Sequence, residues 1–249
     1  ALLKSLLSVV LLFGITNMNL QDFCKRLANG RLSNTSMVED SSGLIIKVAH
    51  KPKVIDAINE GLIRLYTRFI LNEKDVVIGL KASITSYHLN SLYSESLAPQ
   101  VGVAYPYILD GDSEVFINDV IRIMAVYDND GVKLPLNNAT ESTSVFTPVF
   151  DTVRISDPIT DQRITVVYQA KHATLVDTSP LQEIILPDTL YGALEAYVAY
   201  LLFADINSDD AKFKSDKQLM RYEEICGDVR LTDAVSSTTL QSNIKFINR

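Results

Sequence analysis

Pro187-Asp188-Thr189-Leu190-Tyr191-Gly192-Ala193-Leu194-Glu195-Ala196-Tyr197-Val198-Ala199-Tyr200-Leu201-Leu202 is the stretch on which the fold turns. Leu190, Leu194, Tyr197, Val198, Leu201 and Leu202 form one wide apolar face at helical spacing, the pattern of a helix that buries much of its girth. A proline in the first turn loses no hydrogen bond and presets φ, so the helix starts at Pro187. Ile206-Asn207-Ser208 then interrupts. A second helix follows with Ser208 or Asp209 as cap, carries Asp210 and Lys214 four apart, and runs to Cys226 before Gly227 stops it. Its polar composition suits a face turned to solvent or to another subunit.

Further upstream, Val54, Ala57, Ile58, Gly61, Leu62, Leu65 and Phe69 recur at the same spacing, with Pro52 near the first turn, and predict a helix ending around Leu71-Asn72. A shorter helix over residues 21–27 is capped by Asn19 and stopped by Asn29-Gly30, and the polar residues 33–42 read as loop. Between these helical ends the period drops to two. Val76, Ile78, Leu80, Ala82 and Ile84 predict a half-buried strand within residues 75–89. Residues 90–111 carry Pro99, Pro106, Tyr93, Tyr105 and Tyr107 with no sustained period and read as a long loop. Strands follow at 120–127, 132–136, 152–155 and 164–170, the first two joined by the tight reversal Asp128-Asn129-Asp130-Gly131.

The fold class expected is therefore α+β. A helical bundle body (residues 19–74 and 180–228) carries an inserted, mostly antiparallel β domain (75–179), preceded by an apolar helix over 1–18 and followed by an extended C-terminal arm over 229–249.

The chain has 249 residues, 23 Lys+Arg against 30 Asp+Glu for a net charge of −7, ten Gly, eight Pro and two Cys. That excludes collagenous, disordered and disulfide-stapled classes. An acidic total also argues against non-specific wrapping of nucleic acid, which draws on Lys and Arg to displace counterions from phosphate. Lys4 followed by Leu6-Leu7-Ser8-Val9-Val10-Leu11-Leu12-Phe13 imitates a secretion signal, but Gly14-Ile15-Thr16-Asn17 offers no A-x-A-like cleavage site. The run is about half the ~20 residues a bilayer span needs. A short apolar helix packed on its own protein or a neighbour is the reading it supports.

No catalytic chemistry emerges from the residues. His50, His88 and His172 lack a second ligand at metal spacing, and Cys24 and Cys226 have neither a CxxC partner nor a histidine nearby. Aligning Gly131 with the sixth position of a calcium loop puts Val126 at position one and Asn137 where a bidentate Glu belongs, so Asp128 and Asp130 read as a hairpin turn. With no phosphate loop, nucleophile elbow or Walker lysine, the expectation is a non-enzyme without metal or cofactor.

The order of elements resembles one family. Residues 187–200, after Glu183-Ile184-Ile185-Leu186, resemble the "lPd.y..AL..yv.yr" helix of bacteriophage head-to-tail adaptor (connector or neck ring) proteins. Val54-Ile55-Asp56-Ala57-Ile58-Asn59-Glu60-Gly61-Leu62-Ile63-Arg64-Leu65-Tyr66 is similar to the family's early "iNegL..Ly" helix, and Ile164-Thr165-Val166-Val167-Tyr168-Gln169-Ala170 to its strand ending in "v.Yqa". The resemblance implies a structural virion protein that assembles in the bacterial host cytoplasm and resides in the phage neck. Copies would form a ring, usually twelvefold, that binds the portal protein, lengthens the DNA channel and docks tail or nozzle proteins. Double-stranded DNA would pass without specific binding, and no membrane is involved. The resemblance also implies a ring body built on Ile58, Leu62, Leu65, Leu190, Leu194, Tyr197 and Leu201. It places portal contacts in the arm, at Leu240, Ile244, Phe246 and Ile247. Two readings from other classes stand beside it: a membrane-anchored or exported binding domain using residues 1–16, and a hydrolase with carboxylates of perturbed pKa in the loop 93–112.

Overall fold

The structure is a computed structural model and describes residues 18–40, 44–97, 105–111, 114–232 and 235. In chain order the elements are β1 (Met18–Asn19), α1 (Leu20–Asn29), β2 (Val38–Asp40), β3 (Leu44–Ile46), α2 (Lys51–Arg68), β4 (Glu73–Gly79), β5 (Ser86–His88), β6 (Val120–Tyr127), β7 (Lys133–Leu134), β8 (Phe146–Val149), β9 (Thr152–Arg154), β10 (Arg163–Ala170), β11 (Glu183–Ile184), α3 (Asp188–Ala204) and α4 (Asp209–Leu231). Single 3-10 turns occupy Val48–His50 and Ser91–Tyr93. The chain divides into two compact units, one of residues up to 62 and from 174 onward, the other of residues 63–173. The division falls inside α2.

In the first unit, the Asn19 side chain accepts from the Asp22 N–H and donates back to its carboxylate, which starts α1. β1 pairs antiparallel with β11, and β2 with β3. Helix α3 buries Leu190, Leu194, Val198 and Leu202 together with the small Ala193, Ala196 and Ala199 between them. Small residues let neighbours approach. At Gly61 an added Cβ would sit 2.7 Å from Leu194 Cδ1, so α2 and α3 touch where no side chain intervenes.

In the second unit the antiparallel sheet β4-β10-β6-β7 and the smaller sheet β5-β9-β8 share a core. Val76 faces Val166 and Ile78 faces Ile164 across β4 and β10, all four buried, as period-two alternation requires.

Several expectations need correction. Among the described residues a helical bundle body is not evident, and the fold is a mixture of four helices and several antiparallel sheets. The cause lies in short pairings that periodicity does not register: α1 packs on the β2–β3 hairpin, and β11 pairs with β1 ahead of α3. Met18 is in strand β1 and not in a helix, and residues 1–17 lie outside the described residues. Part of the expected loop 33–42 is strand β2, because Val38 and its partner Ile46 are both buried. The strand expected within 75–89 breaks after Gly79, where the Tyr87 hydroxyl accepts from the Lys81 N–H and donates to the Lys81 carbonyl, diverting the chain into the second sheet. Gly227 does not stop the last helix. It continues to Leu231, since burying Val229 outweighs the roughly 1 kcal/mol penalty of an interior glycine.

Candidate interaction surface

Helix α4 has two apolar faces. One holds Ala211, Ser215, Tyr222, Cys226 and Val229, all buried, with the Ser215 hydroxyl donating to the Tyr200 carbonyl at 3.0 Å and the Tyr222 ring 5.0 Å from that of Tyr197. The other carries Phe213, Met220 and Leu231, which are 71%, 73% and 86% exposed. Their spacings of seven and eleven correspond to nearly whole turns at 3.6 residues each, so they form one stripe along the side opposite the buried face. The Ser208 hydroxyl, accepting from the Ala211 N–H at 3.2 Å, fixes where the helix begins and hence the angle of the stripe.

The stripe's borders carry charges of both signs. At 100° per residue, Asp209, Asp216 and Glu223 share one edge with Lys212 and Arg230, and Lys214, Lys217 and Arg221 share the other with Asp210, Glu224 and Asp228. Lys214 pairs with Asp210 at 2.6 Å and Arg221 with Glu224 at 2.7 Å, exposed pairs that add little to stability. Three exposed apolar side chains in line with a charged rim make a surface suited to another protein.

The residues singled out from the sequence sit elsewhere. Ile58, Leu62, Leu190 and Leu194 are buried within the first unit, Tyr197 donates its hydroxyl to Glu60 Oε1 at 3.0 Å, and Leu201 is half-buried. Leu65 is buried beyond the division, in the second unit. Apart from the half-buried Leu201, these side chains pack the chain's own interior. Leu240, Ile244, Phe246 and Ile247 lie outside the described residues. Phe213, Met220 and Leu231 escaped sequence reading because charged neighbours masked them; their seven- and eleven-residue spacing was the available signal.

Asp110, Lys74, Asp119 and Tyr168 of the second unit are tied up in structure. Asp110 accepts from the Ser96 N–H at 3.0 Å, the Ser96 hydroxyl at 2.6 Å and the Phe116 N–H at 3.0 Å. Burial alone would raise its carboxyl, but these donors outweigh burial and hold it below the usual carboxylate range. A proton donor working near neutral pH needs the opposite shift. Beside it, Lys74 Nζ lies 2.8 Å from Glu114 Oε1 and 3.3 Å from Asp119 Oδ2, and Tyr168 donates to Asp119 Oδ1 at 3.1 Å. Burial works against the Lys74 charge, yet the two carboxylates prevail and raise its pKa, while burial and then Asp119 raise the Tyr168 phenol. Neither is deprotonated enough to serve as a base.

His88 Nδ1 lies 3.0 Å from Thr152 Oγ1 and His172 Nδ1 lies 2.6 Å from the Ala173 carbonyl. Among the described residues no group of His, Cys, Asp and Glu could hold a metal ion, and no helix is long and apolar enough to cross a membrane. Neither cysteine is in a disulfide with a described residue, and burial pushes the Cys24 thiol up to about 11, which leaves it protonated and a poor nucleophile. No protein-family model matches the sequence, and no curated protein matches it.

Proposed function

We propose that the chain is a structural virion protein, a subunit of the head-to-tail adaptor ring of a tailed bacteriophage. The ring binds the portal protein, extends the DNA channel and offers a docking surface for tail or nozzle proteins. The outward face of α4 carries the reading. Contacts between neighbours in a ring are heterologous, so the exposed apolar side chains of one copy meet a different surface of the next. Leaving Phe213, Met220 and Leu231 in water forgoes about 25 cal/mol per Å² of apolar surface, which contact with a neighbour recovers. The resemblance of residues 54–66, 164–170 and 187–200 to adaptor proteins supports the same reading, and a net charge of −7 suits a channel through which DNA passes unheld.

Native mass spectrometry and negative-stain averaging of the chain mixed with its candidate portal test this. A closed ring, most often twelvefold in the family, stacked on the portal is expected. A monomer indifferent to portal contradicts the proposal, and one that floats with liposomes favours the anchored binding domain. A chain ending after Thr232, where α4 closes, is expected to keep its fold and lose portal attachment if the arm makes the contact.

A further inference from the structure

Midway along α4, charges of one sign crowd together. Lys217 has Lys214 one turn before it and Arg221 one turn after it, and like charges at that spacing destabilise a helix. The acids nearest along the same face are already engaged, Asp210 with Lys214 at 2.6 Å and Glu224 with Arg221 at 2.7 Å. Lys217 itself is exposed and has no ion-pair partner among the described residues.

The chain leaving α1 closes on this face. Arg31, two residues beyond α1, donates from Nη1 to Gln218 Oε1, which holds the guanidinium in place. Its Nε is buried without a hydrogen bond, with Glu195 Oε2 standing at 3.7 Å. Burial lowers the Arg31 pKa, and Arg221 and Arg26 lower it further against the pull of Glu195. Between the two elements lies a cavity of about 230 Å³ lined by Arg31, Asn34, Lys214, Lys217, Gln218 and Phe203, and no carboxylate stands among its lining residues. Ser33 and Thr35, also in its wall, donate their hydroxyls to the Gly30 and Leu32 carbonyls, which leaves nitrogens as the donors open to a ligand. Every wall residue belongs to the first unit.

Three cations and no acid make this cavity complementary to an oxyanion. A guanidinium matches two phosphate oxygens at once, and ammonium groups add point charge beside it. An anion seated there also offsets the repulsion among Lys214, Lys217 and Arg221. We propose that the cavity binds a phosphate group, carried by inorganic phosphate or a phosphomonoester, with Arg31, Lys214 and Lys217 as its charge partners. The site does not depend on the adaptor reading, because one chain supplies every wall.

Equilibrium dialysis of the full chain against radiolabelled orthophosphate, at constant ionic strength set with chloride, tests this whether or not the chain assembles. Saturable binding is expected, about tenfold weaker in Lys217→Gln and changed less than about twofold in Lys212→Gln, which removes the same charge from the far side of α4. The urea midpoint in chloride alone is expected not to fall in Lys217→Gln, and added phosphate is expected to raise it in wild type more than in the variant. Retention that never saturates, or equal losses in the two variants, would reduce the effect to net charge and overturn the site. Competition then identifies the carrier: glycerol phosphate displacing the label at lower concentration than orthophosphate assigns a phosphomonoester, and the reverse assigns inorganic phosphate. A short DNA duplex that displaces the label at lower phosphate concentration than either would assign the cavity to nucleic acid and overturn the proposal.

Discussion

The two units solve the problem of a folded interior in different ways. Among the described residues that are polar yet buried, Ser94, Asp110, Asp119, Ser144, Thr152, Gln169 and His172 belong to the second unit and Ser215 alone to the first. Helices satisfy their own backbone, so the first unit is closed mostly by apolar side chains, with Asn59 serving Leu175 and Tyr191 serving Met18 and Ile184 outside the helices. The second unit contains irregular chain whose backbone groups need outside partners. Tyr107 serves the N–H and carbonyl of His88, Ser144 accepts from Asn138 and donates to Pro135, and Gln169 Nε2 donates to the carbonyls of Tyr66 and Phe69. Where the chain is irregular, side chains take over the role of the hydrogen-bond ladder.

The contrast can be broken by substitution. Leu194→Ala, in the apolar interior of the first unit, is expected to cost about 4 kcal/mol through lost burial and a cavity, measured as a shift in the urea midpoint. Asp110→Ala in the second unit leaves three donors without their acceptor and is expected to cost about 3 kcal/mol, with amide exchange accelerating in β4 and β10 before α3. Reversal of that order of exchange would show that the two interiors are not held differently.

Acid sharpens the same contrast by its sign. Because the folded Asp110 carboxyl lies below its unfolded value of about 4, its stabilisation is fully present above that pH and is lost as pH falls through the lower folded value. Wild-type stability is therefore expected to fall below about pH 4, with a smaller fall in Asp110→Asn. Identical acid limbs in the two proteins would remove Asp110 from the set of anchors.

Legibility followed the same divide. Strands β6 and β10 and helices α2 and α3 could be read because Val120 and Val126, Ile164 and Val166, Ile58 and Leu62, and Leu190 and Leu194 sit at periods that a single buried face imposes. Elements set by partners distant in sequence could not. Nothing near Gly79 announces that the Tyr87 hydroxyl will end the strand, and nothing near Val38 announces Ile46. Gly227 misled because a local stop signal was weighed without the burial of Val229. The interaction surface was the least legible part. Phe213, Met220 and Leu231 are sparse on a helix otherwise rich in charge, and only the placement of the buried face shows that they share the opposite one.

The smallest expected effect on folding bears on the largest claim. Met220→Asp, on a fully solvated side of α4, is expected to change stability by less than about 0.5 kcal/mol. Native mass spectrometry of wild type and Met220→Asp across a concentration series then tests whether this face joins copies of the chain. Wild type is expected to form a closed assembly that the variant, equally well folded, does not form. A wild type that stays monomeric, or a variant that assembles identically, would contradict the ring reading of α4.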